Sequence, residues 1–301
     1  MEYINPQSRF LKKSYTVEPF SDYVKRRIAS ITQEMTSPPY AVEGEEARTK
    51  ALNEFVKKDP YGYYEKINTM ADSLLTDRQC QPVTRLSDPV FYDVMGDCCE
   101  ALGFKNTVGY VYTPKAFENP YNAMATGYLD MTWVMVSKSF LEGNLLTDLE
   151  LAALIGHELG HTAARHSSFA CMGADIKGDE NRRQEYTADR AGLMAALWRA
   201  ERLYPDLDAK GLADKALEAS VDLQRKLELL FATHPKGGYN AQTLRRKMEE
   251  TPVKEAHAKR NDSHPTCWER KTQLEDYVKR IEFLECIHTM WGSDHRAARR
   301  L

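Results

Sequence analysis

His157-Glu158-Leu159-Gly160-His161 sets two imidazoles four residues apart, with a carboxylate directly after the first. On a helix, side chains at i and i+4 share a face, so both rings can hold one metal ion. Glu158 is then placed to take a proton from water at that metal, which makes the segment a zinc site with its general base built in. The pattern H-E-x-x-H is short enough to arise by chance, and the blander reading is two polar residues on a half-buried helix. Its surroundings decide between the two.

Those surroundings begin with the helix. Thr147 and Glu150 stand at capping-box spacing, and Asp148 puts a negative charge in the first turn, where the helix dipole favours it. Leu149, Leu151, Ala152, Leu154, Ile155 and Leu159 follow at helical spacing, so the helix from Leu149 to about His166 buries one side. A catalytic zinc also needs a third protein ligand and one open position. Glu185-Tyr186-Thr187-Ala188-Asp189, one helix downstream, offers two carboxylates at i and i+4. Glu185 is the candidate third ligand, and Asp189 can reach the ring N–H of a zinc histidine and fix its tautomer. The alternative is an exposed acidic face, since residues 179–185 are highly charged. Against it, Ala188, Ala191, Gly192, Leu193, Ala195, Ala196 and Leu197 make the rest of this helix small and apolar, suited to close packing on another helix.

Asn122-Ala123-Met124-Ala125-Thr126-Gly127, His157-Glu158-Leu159-Gly160-His161 and Glu185-Tyr186-Thr187-Ala188-Asp189 occur in the order seen in the HtpX-like zinc metallopeptidases. This is family forty-eight of the metallopeptidases, a gluzincin family that includes the CAAX prenyl endopeptidases, and the chain resembles a soluble member. The resemblance runs from about Asp88 to Leu274. It implies that His157, His161 and Glu185 hold one zinc ion per chain, that Glu158 is the base, and that Asp189 supports the site from behind. It also implies that Asn122, Ala123, Met124 and Ala125 form a strand edge beside the zinc helix, where an extended substrate can pair main chain to main chain. Read from its residues alone, Asn122 to Gly127 with Met131-Thr132-Trp133-Val134-Met135-Val136 is a strand pair around a Tyr-Leu-Asp turn, and an ordinary core hairpin is an equal reading. Family members carry a His-Pro pair near the domain end with an arginine six residues after the histidine. Ser263-His264-Pro265 with Arg270 satisfies that spacing, whereas Thr233-His234-Pro235 has Asn240 there, so His264 is favoured and His234 is the alternate. Such a histidine donates to an oxyanion or caps the zinc in a resting state.

Composition sets limits on the function. A net charge of −3 gives no footprint for nucleic acid, and no window approaches the roughly 20 apolar residues of a membrane helix. The N-terminal Met-Glu-Tyr-Ile-Asn-Pro lacks a basic-then-apolar leader pattern, which points to the cytoplasm. Cysteines 80, 98, 99, 171, 267 and 286 include no C-x-x-C pair, so free thiols in a reducing compartment are expected.

The expected fold is α+β, a helix-rich gluzincin domain over 86–301 with a small sheet beside the zinc helix, preceded by a helical extension over 1–85. Helical spacing in that extension occurs near 21–35, 43–58 and 62–76. Within the domain a first helix opens at Asp88-Pro89 and ends near Gly103, and Val108 to Tyr112 is a strand. Leu212 to Leu230 forms an amphipathic helix, Lys236 to Asp262 a loop with a charged helix, and Glu269 to Trp291 the last helix. The resulting expectation is a zinc metalloendopeptidase that hydrolyses extended or unfolded polypeptides by a zinc-activated water. The alternatives are a latent enzyme or a non-catalytic, chaperone-like zinc module of the same fold. Oligomeric state is not legible.

Overall fold

The structure is a computed structural model that describes residues 79–104, 106–114, 119–128, 131–163, 179–233, 240–251 and 264–281, with 76, 283, 284 and 287. Apart from Thr76, the three expected N-terminal helices lie outside these residues, as do His234, Cys171, Cys286 and the stretch from Ala164 to His166. Over the described residues the protein is helix-rich with one small mixed sheet, the α+β class the sequence implied.

Helix α1 (Pro89–Leu102) starts where Asp88 accepts the Phe91 N–H at 2.9 Å and stops at Gly103, whose φ of 74° suits a residue without a Cβ. The sheet runs in the order β1-β2-β4-β3, comprising β1 (Gln81–Pro82), β2 (Asn106–Tyr112), β3 (Ala123–Tyr128) and β4 (Met131–Ser137). β1 is antiparallel to β2, β2 parallel to β4, and β3 antiparallel to β4. The expected hairpin is thus present, paired from Ala123 with Val136 to Tyr128 with Met131. It places β3 at the sheet edge. The two-residue β1 and the short helix α2 (Lys138–Glu142) carried no readable sequence signal, and the sheet begins ahead of residue 86.

Helix α3 (Asp148–Ala163) opens with the expected capping box. The Thr147 N–H donates to Glu150 Oε2 at 2.6 Å, and the Glu150 N–H returns to Thr147 Oγ1 at 3.3 Å. It packs against α4 (Asp179–Leu203) more extensively than any other two elements pack. The helices run antiparallel, since Asp148 at the start of α3 meets Arg199 near the end of α4 at 2.6 Å. Small residues let the backbones nearly touch. A methyl group on Gly156 would lie 2.4 Å from Ala195 Cβ, one on Gly160 2.6 Å from Ala191 Cβ, and one on Gly192 2.5 Å from the Ala153 carbonyl oxygen. The small apolar face read from the sequence of α4 therefore brings its carboxylates against the histidine face of α3.

Helix α5 (Ala209–Thr233) packs on both, and α6 (Ala241–Glu250), capped by Asn240, packs on α5. The last helix, expected from Glu269 to Trp291, is instead α7 (Cys267–Tyr277). It begins two residues earlier because Thr266 and Glu269 form a capping box, and turns at 278–280 interrupt it before the helical positions 281, 283, 284 and 287. The buried Arg190 guanidinium, 4.1 Å from the Tyr277 ring centre, holds α7 against α4.

Candidate metal centre

Near the C-terminal end of α3 and the N-terminal part of α4, three side chains converge. His157 Nε2 lies 3.1 Å from His161 Nε2 and 3.5 Å from Glu185 Oε2, and His161 Nε2 lies 3.7 Å from Glu185 Oε1. Zinc takes such ligands at about 2.0–2.2 Å, which in a tetrahedron puts ligand atoms about 3.4 Å apart. The donor set and its spacing fit that ion. Two imidazole nitrogens and one carboxylate oxygen make up the donor set of a two-histidine, one-carboxylate site.

The carboxylate of Asp189 is acceptor-only, so His157 Nδ1 donates to Asp189 Oδ1 at 3.0 Å. That fixes the neutral ring in the tautomer whose Nε2 lone pair faces His161 and Glu185. Arg270, 6% exposed, sends one nitrogen to Asp189 Oδ1 and the other to Glu185 Oε2, both at 2.6 Å. Its Nε donates to the Pro265 carbonyl at 3.4 Å. The arginine expected six residues after His264 thus clamps the Glu185 and Asp189 carboxylates of α4.

Without a metal, burial disfavours a charged His157, but Asp189 and Glu185 outweigh it and raise its pKa to about 10. Burial pushes His161 the other way, to about 4. Without a metal the two rings are thus pushed in opposite directions. Burial acts to raise the Glu185 carboxyl, yet Arg270 and the two histidines hold it well below the usual carboxylate range. The half-buried Glu158 moves upward, chiefly by burial and against the pull of His157, while the Ala125 N–H hydrogen-bonds to it. An upward shift makes this carboxylate a stronger base than an exposed one.

The edge strand has a definite parity. The Ser137 N–H donates to the Asn122 carbonyl at 2.9 Å, so Asn122 and Met124 turn their main-chain groups towards β4. Ala123 and Ala125 turn theirs outwards, beside α3, while the exposed Asn122 keeps only its side chain for a substrate. Of the four expected contacts, two are main-chain edge positions. His264 has its Nε2 3.7 Å from Glu185 Oε1 with a side chain 59% exposed, and burial lowers its pKa.

The sequence reading missed Gln224 of α5, whose Nε2 donates to Asp189 Oδ1 at 3.3 Å. A polar residue inside the stripe of Ala216, Leu223 and Leu230 was its only signal.

No curated protein and no solved structure matches the chain. A family model does match, across most of α1, strands β2 to β4 and the histidines of α3, although β1 lies ahead of it and Glu185, Asp189 and Arg270 lie beyond its end. Residues 91–178 of the chain are similar to peptidase family M48.

Proposed function

We propose that the chain is a zinc-dependent endopeptidase acting on extended or unfolded polypeptide, with one zinc per chain on His157, His161 and Glu185. The supporting observation is the convergence of those three side chains at tetrahedral spacing, beside a half-buried carboxylate and an open strand edge. The matched family is one of peptidases, whose substrates are polypeptides. No helix among the described residues is long and apolar enough to cross a membrane. The four described cysteines, 80, 98, 99 and 267, are free thiols, which fits a reducing, cytoplasmic setting.

Zinc, when bound, supplies Lewis acidity and brings the pKa of a bound water to roughly 7. Asp189 keeps His157 in the ligating tautomer, and Arg270 balances the charge of Glu185 on Oε2 while Oε1 faces His161. The outward main-chain groups of Ala123 and the outward carbonyl of Ala125 pair with an extended peptide and grip it without reading its side chains, the Ala125 N–H being held by Glu158. Glu158 takes the proton from the attacking water and passes it to the leaving amine. His264 donates to the oxygen of the carbonyl under attack.

The test pairs metal analysis with digestion of an unfolded protein by wild type and Glu158→Gln. Both should hold one zinc, and cleavage should fall by about 10²- to 10⁴-fold in the variant. Equal cleavage by both would remove Glu158 as the base. Zinc in both with cleavage by neither would favour the latent enzyme or the non-catalytic zinc module.

A further inference from the structure

We propose that Gln224 is a positioning residue of the metal centre, a third donor that keeps the Asp189 carboxylate on His157. The proposal rests on the zinc reading and adds to it a residue from α5. A guanidinium normally grips a carboxylate with both forks, which locks its rotation. Arg270 does not, because its second nitrogen goes to Glu185. Asp189 is therefore held through Oδ1 alone, and its buried Oδ2 has no hydrogen-bond partner among the described residues. A carboxylate held at one oxygen by His157 and Arg270 can swing its other oxygen to the arginine and release the ring. Gln224 opposes that swing from a different helix. It lies 8% exposed on α5, and its amide adds a donor without adding charge. Burying an amide in that apolar stripe is costly unless it is hydrogen-bonded, and Asp189 is the partner it finds.

At 3.3 Å this bond is longer than those from His157 and Arg270, so the effect belongs at the low end of the 10- to 100-fold expected of such supporting groups. The experiment uses the full chain, with zinc affinity read by competition against a chromogenic chelator and ligand geometry by the visible spectrum of the cobalt(II)-substituted protein. Gln224→Met, which keeps the volume, should bind zinc about tenfold more weakly and show a changed cobalt spectrum, while its metal-free melting temperature stays close to wild type. Gln224→Asn, whose amide stops one methylene short, gives the same expectation should the methionine variant fail to fold. Wild-type zinc affinity and an unchanged cobalt spectrum in the folded variant would overturn the proposal. Wild type that takes up no zinc would instead sink the zinc reading itself, and that titration is read first.

Discussion

The two ends of the α3–α4 pair both bury charge, and they do so in opposite ways. At the end formed by the start of α3, each charge meets its opposite. Arg199 joins Asp97 of α1 at 2.8 Å to Asp148 at 2.6 Å, and Arg202 also reaches Asp97. The buried Lys226 of α5 binds Glu150 at 2.6 Å and the Leu145 carbonyl at 2.9 Å, closing on the capping box. At the other end, ligand-type atoms face one another. Two imidazole nitrogens stand 3.1 Å apart with carboxylate oxygens beside them, and Arg270 supplies a cation only from behind. Burying a charge is costly unless something compensates it. The first end is compensated by the chain; the second leaves room for an ion. That contrast, more than burial itself, marks which cluster serves chemistry.

Three perturbations sharpen this contrast. Lys226→Met leaves Glu150 buried and unpaired, so stability should fall by about 3–5 kcal/mol in denaturant titrations, equally with and without zinc. A loss seen only in the zinc-loaded protein would merge the two ends into one system. Zinc at a hundred times its dissociation constant should stabilise wild type by about 2.7 kcal/mol, and His157→Ala by little or nothing. Equal stabilisation of both proteins would place the ion elsewhere. Gly160→Ala forces a methyl towards Ala191, so it should cost about 1–3 kcal/mol and weaken zinc binding by pushing Glu185 away. Ala191→Gly in the same chain should restore part of the zinc binding, since only the Ala188 backbone then stays close to the methyl, and no recovery would show that the approach to Ala191 does not set the ligand spacing.

Much of this was legible because the signals are local. The Thr147 to Glu150 cap, the leucine stripe of α3 and the small face of α4 each lie within a few turns, and the helices form where those signals stand. The hairpin of β3 with β4 was legible too, whereas the parity of β3 came only from its pairing in the structure. What was not legible depends on long-range packing. Gln224 is one glutamine among several until α5 docks, and no spacing announces that it meets Asp189. Arg270 was placed only by resemblance, since no local pattern says that it spans two carboxylates some eighty positions earlier. The misplaced start of α7 is a different case. Thr266 and Glu269 spell a capping box in the sequence, and attention to the His-Pro pair beside it obscured the helix boundary.

Four helices meet at Asp189 Oδ1, and they do not arrive together during synthesis. A growing chain that has emerged only as far as α6 already carries His157, His161, Glu185 and Asp189, all on α3 and α4. It lacks α7, and with it the guanidinium that balances both carboxylates. The candidate metal centre is therefore completed only once α7, some eighty positions after Glu185 and Asp189, has followed. The cluster proposed to cut extended polypeptide is thereby left incomplete while the chain that carries it is itself still extended.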